Sequence, residues 1–312
     1  MNRLKAKGVG GPAKLPSKRP PQSASATARS LKCRRCTKYG LAGGPDAKNM
    51  RRHLKTGCLF LVCVAIGIAN THAGTRNLDK QGDGPQAEFQ MARVKYRTFG
   101  GGGSHGYYQP WWAIDYPLAE EHFFPALRRT TNLQVADEER HLELSDERIF
   151  EYPFLFLQQP AMGNWRPTPE EAAQLREYCL RGGFLLVDDL HAQWGWAVFE
   201  KAIKQVFPDR PIVEIPNDDP LMHIFFDLDT SMGVPGDRHL VIGRGGQTLA
   251  AMEGPPHWRG IYDDHGRLMV IVNFNSDMGD GWEHADDPEY PVPFTALAYK
   301  FGINYIIYAM TH

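Results

Sequence analysis

Residues 168–189 read TPEEAAQLREYCLRGGFLLVDD, and this stretch decides the fold class. Thr168-Pro169-Glu170-Glu171 is a capping box with proline at the first helical position, where its missing N–H costs nothing. Ala172, Leu175 and Cys179 then recur at helical spacing and form the face turned toward a core. Gly182-Gly183 stops the helix. Phe184-Leu185-Leu186-Val187 is apolar at every position, as a strand covered on both faces must be. A capped helix, a glycine stop and a doubly buried strand make one half-turn of a doubly wound parallel sheet.

Reading outward, Phe154–Leu157 and Leu268–Phe274 are further apolar strands of the same kind. Met91–Thr98 predicts the first strand. It runs into Phe99-Gly100-Gly101-Gly102-Gly103-Ser104-His105-Gly106, a flexible loop without the Gly-Lys-Ser/Thr of a P-loop. Tyr107, Tyr108, Trp111 and Trp112 follow as an aromatic patch. Asp115-Tyr116-Pro117 predicts a helix start with Asp115 as the cap, and Pro125 predicts a bend in that helix. Leu133–Val135, His141–Leu144 and Ile212–Ile215 read as short strands, Trp194–Val206 and Pro293–Met310 as helices. The fold class is therefore α/β with a doubly wound, mainly parallel sheet over residues 91–312, joined by a polar linker, 74–90, to what precedes it.

The formal net charge of -1 conceals two unlike parts. Residues 1–56 hold 15 of the 35 Lys and Arg but only Asp46 among the 36 acids. The acidic body argues against nucleic-acid binding, because it would repel phosphates. The basic head precedes Cys58–Ala69, an apolar run too short for the roughly 20 residues of a membrane span. Charge, short apolar core and the small residues ending at Ala73 predict a signal peptide over residues 50–73, or an anchor if it stays uncleaved. Residues 1–49 predict disorder, or an over-long gene start with Met50 the true one. Cys33 and Cys36 lack the second ligand pair of a structural zinc site. The expected address is extracytoplasmic, periplasmic or secreted, with membrane contact only through that segment.

Ligands of such sheets bind outside the carboxyl ends of the strands. Asp188, Asp189 and His191 follow one apolar strand; Asn275, Asp277, Asp280, Trp282, Glu283 and His284 follow another; Gly101 and Gly102 follow the first. These converge on one rim if their strands are neighbours. Asp188 and Asp189 suit either structural capping or ligand contact, and Asp188, Asp189 and His191 are the candidate metal ligands. Trp282 suits either sugar stacking or loop packing. His122 and His223 read as core histidines. There is no Gly-x-Cys-x-Gly elbow, and Cys179, inside a helix, predicts a buried, inert thiol.

Several segments together resemble a bacterial family, the domain of unknown function 4159: Asp115–Glu120, Tyr152–Phe156, Gly182–Asp189, Asn273–Trp282 and Gly302–Ala309. The resemblance covers Ala92–His312. It implies a flavodoxin-like, class I glutamine-amidotransferase-like three-layer sandwich. It implies no catalytic residues, and the missing elbow argues against amidotransferase activity.

Three functions follow as expectations. The first is non-covalent binding of a small polar ligand, a carbohydrate or peptide, at the rim of Asp188, Asp189, Asp277 and Asp280. The second is metal-assisted hydrolysis, with a divalent ion on Asp188, Asp189 and His191 and with Asp277 or Glu283 as base. The third is a module of a cell-envelope complex that meets a partner protein through Tyr107–Trp112.

Overall fold

A computed structural model of the chain describes residues 84–104, 107–242, 248–250 and 252–312. The basic segment 1–49, the signal segment 50–73 and most of the linker lie outside the described residues. In chain order the strands are β1 (Ala92–Val94), β2 (Gly101–Ser104), β3 (Tyr107–Pro110), β4 (Arg140–Leu142), β5 (Phe154–Gln158), β6 (Phe184–Leu190), β7 (Val213–Glu214), β8 (Leu240–Ile242), β9 (Thr248–Ala250), β10 (His257–Tyr262) and β11 (Leu268–Phe274). The helices are α1 (Leu118–Thr130), α2 (Pro169–Leu180), α3 (Ala192–Val206), α4 (Pro220–His223), α5 (Met278–Glu283) and α6 (Val292–Thr311).

Seven strands form the main sheet in the order β4-β1-β5-β6-β11-β10-β7. β4, β1, β5, β6 and β11 are mutually parallel, and β10 runs antiparallel between β11 and β7. The chain steps outward from β1 to β4, then returns to β5 on β1's other side and proceeds to β6. The order thus reverses between β1 and β5, the place where doubly wound sheets open a crevice. Both edge strands are short, three residues in β4 and two in β7.

Alternation along the strands makes two cores. Leu155, Leu157, Leu185 and Val187 face α2 and α3, meeting Leu175, Cys179, Phe199 and Ile203. Phe154, Phe156, Phe184 and Leu186 face the opposite way, toward Phe123 of α1 and Phe301 and Tyr305 of α6. Helices therefore cover both faces of the sheet, and this is why its central strands are apolar throughout. The capping box of α2 forms as read, with Thr168 Oγ1 accepting from Glu171 N at 3.2 Å and Glu171 Oε2 from Thr168 N at 2.8 Å. Cys179 is buried, and burial pushes its thiol up to about 12.

Several expectations need correction. Residues 101–104 and 107–110 are strand and not loop: β2 and β3 pair antiparallel. Asp115 does not cap α1, which starts at Leu118 after a cis Tyr116-Pro117 bond. Pro125 lies within a continuous α1. Leu133–Val135 contributes only an isolated bridge, Phe89 to Val135. β10 went unread because Trp258, Gly260 and Ile261 give no clean periodicity. Trp112 is buried and so is no surface contact residue, although Tyr108 is exposed. His223 is exposed beside Asp227, while His122 is partly buried with Nδ1 3.0 Å from Trp282 O. Among the described residues, no helix is long and apolar enough to cross a membrane.

Trp282 belongs to the core and not to a ligand platform. It is 1% exposed and stacks on Phe123 at 4.3 Å between centroids and 9° between planes. Replacing it empties the space between α1, α5 and α6. Trp282→Ala is expected to cost roughly 3–5 kcal/mol of unfolding free energy, the range for large-to-small aromatic truncation, measured by denaturant titration. A loss under about 1 kcal/mol, the scale of a surface change, would contradict this placement.

Candidate functional site

Parallel strands send all their carboxyl ends to one side, and there a cavity of about 410 Å³ opens. Asp189 enters it from β6, Gln159 from the end of β5, and Asp277 and Asp280 from the start of α5 after β11. Asp115 arrives from the turn after the hairpin. Asp237, Arg238, His239 and Glu253 close the far side, with His191 and His284 completing the polar lining.

Local backbone aims these groups. Asp115, Gln159, Asp189, Ala192 and Asn275 all have φ between 49° and 64°. Residues with side chains rarely adopt this left-handed region, and such strain gathers at functional sites. Asn275 stitches the rim: its Oδ1 accepts from Ala192 N at 3.1 Å, and its Nδ2 donates to Pro255 O at 3.0 Å. Arg93, fully buried on β1, donates through Nη1 to Ile114 O at 3.0 Å and pairs with Glu120, fixing the turn that presents Asp115. Gly236 has no side chain for a specific reason. A Cβ there would lie 2.9 Å from an oxygen of both Asp277 and Asp280.

Asp188 and Asp189, adjacent in sequence, have separate tasks. Asp188 is 0% exposed and does not line the cavity. Its Oδ2 accepts from the N–H groups of Met278 and Gly279 at 2.8 and 2.9 Å, and its Oδ1 from Asn273 Nδ2 at 2.7 Å. It therefore holds α5 onto β6 as a structural cap, outside the cavity lining. Asp189 faces the cavity, where Gln159 donates to Oδ2 and His191 Nε2 lies 3.2 Å from Oδ1. Gly101 and Gly102 do not line the cavity either. A Cβ on Gly102 would strike the Trp111 ring at 2.9 Å, so the hairpin serves as the seat of that indole. Glu283 is buried beside His284 and away from the lining.

The remaining groups converge. Ligand atoms of Asp189, His191 and Asp277 lie within 4.8 Å of one another, as do those of Asp115, Asp277 and Asp280, and those of Asp237, Asp280 and His284. Asp277 and Asp280 each belong to two of these groups. Sequence reasoning reached Asp189, His191, Asp277 and Asp280 from their strand-end positions. It missed Asp115 as a site residue, and Asp237, His239 and Glu253 entirely, because residues 216–256 carry no periodic signal.

A family model described as Domain of unknown function (DUF4159) matches residues 90–310. The chain belongs to this family. No curated protein matches the chain. The cavity of this DUF4159 domain lies wholly within the matched span.

Crowded, buried carboxyls resist losing their protons. Burial, then the neighbouring Asp280, Glu283 and Asp189, raises Asp115 well above its ordinary value. Burial, then Asp189 and Asp280, does the same to Asp277, and burial with Asp237 to Asp280. Burial lifts Asp188 to about 7 against the pull of its three donors. Burial lowers His191, but its Asp189 partner outweighs this and the net shift is upward. His239 is lowered, by burial and by His191, whose ring centroid is 4.3 Å away.

These shifts fix the sign of a pH effect. A carboxyl with a raised folded pKa stabilises fully below its unfolded value, and that contribution is lost as pH rises through the folded value. For Asp188 the window runs from its ordinary 3.8 to about 7. The metal-free DUF4159 domain is therefore expected to melt at steadily lower temperature from about pH 5 to about pH 7.5. Thermal melts in chelator across that interval check it, and a melting temperature that rises with pH would contradict the assignment.

Proposed function

We propose that the cavity is a divalent-metal centre of a hydrolase, with Asp189, His191 and Asp277 as the ligands. The observation that carries this is the convergence of two carboxylates and an imidazole on one point, with Asp277 shared by the Asp115–Asp280 pair. The donor set fits a metal. Among the described residues, six carboxyl groups line the cavity against one guanidinium, Arg238. Such a group must either keep protons or take up a cation. His191 Nδ1 has no hydrogen-bond partner among the described residues. Mixed imidazole and carboxylate donors suit zinc, manganese or iron better than the all-oxygen shell of calcium.

A bound divalent ion would supply a water acidified toward neutrality and polarise a substrate oxygen. Around it, the chain's own groups divide the work. Gln159 holds Asp189 in place through its amide. Asp280, whose carboxyl is pushed well above its ordinary value by burial and by Asp237 and which accepts from Asp237 N at 2.8 Å, is placed to give or take a proton. Asp188 stays outside the chemistry and fixes α5. This reading moves the metal site of the sequence analysis from Asp188 to Asp277 and discards Glu283 as base.

Binding of a small polar ligand without turnover is the second reading, favoured by a lining that among the described residues holds no serine or cysteine. The order of the sheet, its reversal beside β1 and its two helical layers support the finer fold reading, a flavodoxin-like, class I glutamine-amidotransferase-like sandwich. The basic head and short apolar run before Ala73 support export.

Metal analysis and calorimetry test the centre. Zinc or manganese is expected to bind near one equivalent, raise the melting temperature by several degrees and release protons, since the ligands must be deprotonated. Asp189→Asn and Asp277→Asn should each weaken binding roughly 10–100-fold, the range reported for disturbing a metal's support. Neither a bound ion nor a thermal shift would sink the proposal.

A further inference from the structure

The mouth of the same cavity differs in character from its floor. Trp194 is 53% exposed and Met162 42% exposed, and both line the cavity together with Trp111 and Ala161. Trp194 sits in the first turn of α3, three residues after His191, and lines the same cavity as the proposed ligand set. Trp111 is braced from behind by Gly102 and Ile114 packs against the same glycine, so the indole is a fixed wall. Large apolar groups left open at the mouth of an acidic cavity call for a ligand that presents both kinds of surface.

The floor restricts that ligand further. Carboxylates accept hydrogen bonds and, once ionised, donate none. Among the described residues the lining offers six carboxyl groups and one fixed cation, Arg238. A phosphate, sulfate or carboxylate ligand would bring still more acceptors and negative charge to a wall already rich in carboxyl groups, so like charges would oppose it. A polyhydroxyl ligand brings donors to those acceptors and oxygen pairs to a hard cation. A sugar ring also has an apolar C–H face, whose positive edge matches the negative face of an indole. A peptide presents one donor and one acceptor per residue and answers the acceptor excess less well.

Resting on the metal centre proposed above, we infer that the substrate class is an uncharged or amino-bearing glycan, stacked on Trp194 and Trp111 with its hydroxyls turned to the Asp189–Asp277 floor. The two indoles and Met162 select the ring, and the carboxyl lining rejects anionic sugars.

A printed glycan array read with the zinc-loaded protein tests this, with neutral, amino-bearing, sulfated, phosphorylated and sialylated members alongside a peptide array. Binding confined to neutral or amino-bearing glycans is expected. Trp194→Ala should weaken it at least about tenfold while zinc affinity, measured by calorimetry on the same variant, stays unchanged. Binding to anionic glycans alone, to peptides alone, or to nothing, with zinc still bound, overturns the glycan assignment and leaves the metal centre standing. Failure to take up zinc, with neutral glycans still captured through Trp194, overturns the metal centre and leaves the glycan platform standing.

Discussion

The buried carboxylate of Asp188 is the interaction on which the rest of this domain depends. One oxygen gathers the first free N–H groups of α5, and the other holds Asn273 of β11, whose side-chain oxygen accepts from Tyr305 of α6 at 3.0 Å. A single side chain thus joins two central strands and two helices. Removing a charge from water is costly unless donors replace the solvent, and three donors do so here. The start of α5 would otherwise carry unsatisfied N–H groups into a dry interior. Because α5 carries Asp277 at its cap and Asp280 in its first turn, this anchor also decides where the cavity's acids stand.

Strain completes what the anchor begins. A regular strand sends neighbouring side chains to opposite faces, which would put Asp189 on the side away from Asp188 but not necessarily toward the opening. Left-handed backbone at Asp189, Gln159 and Asn275 breaks that regularity at three adjacent strand ends. The polar side chains then lean over the crevice instead of into either core. The cost falls on residues whose own hydrogen bonds hold the turn, as Asn275 does between α3 and the Pro255 segment.

The fold was legible where burial imposes a pattern. Phe184–Val187 and Leu268–Phe274 are apolar at every position because helices lie on both sides, and Thr168–Glu171 announces its helix by local chemistry alone. Asp189, His191, Asp277 and Asp280 were legible for a topological reason, since they end strands that had to lie parallel. What stayed hidden depends on distant parts of the chain. Nothing in Asp188-Asp189 says which of two identical residues meets α5, because that follows from a helix ninety positions on. Asp115 looked like a cap because it precedes proline and a helix, whereas Arg93, bonded to Ile114 O, and Gln158, whose amide donates to Asp115 Oδ2, set its true position. Trp282 stood beside candidate acids, yet its neighbour in space is Phe123. Residues 237–253 show no helical period, and Asp237 enters the cavity from a short 3-10 turn, Asp237–His239.

The sheet's outer boundaries have a bearing on how the molecule behaves in a crowded solution. Unpaired strand edges recruit other chains through backbone hydrogen bonding. Here one rim ends in three residues, Arg140–Leu142, and the other in the two residues of β7, where Glu214 pairs with Arg259 at 2.7 Å. Such rims are too short and too charged to template a neighbour. The long, sticky strands β6 and β11 are kept in the middle, so the acidic crevice can stay open at one end of the sheet without exposing a seed for self-assembly.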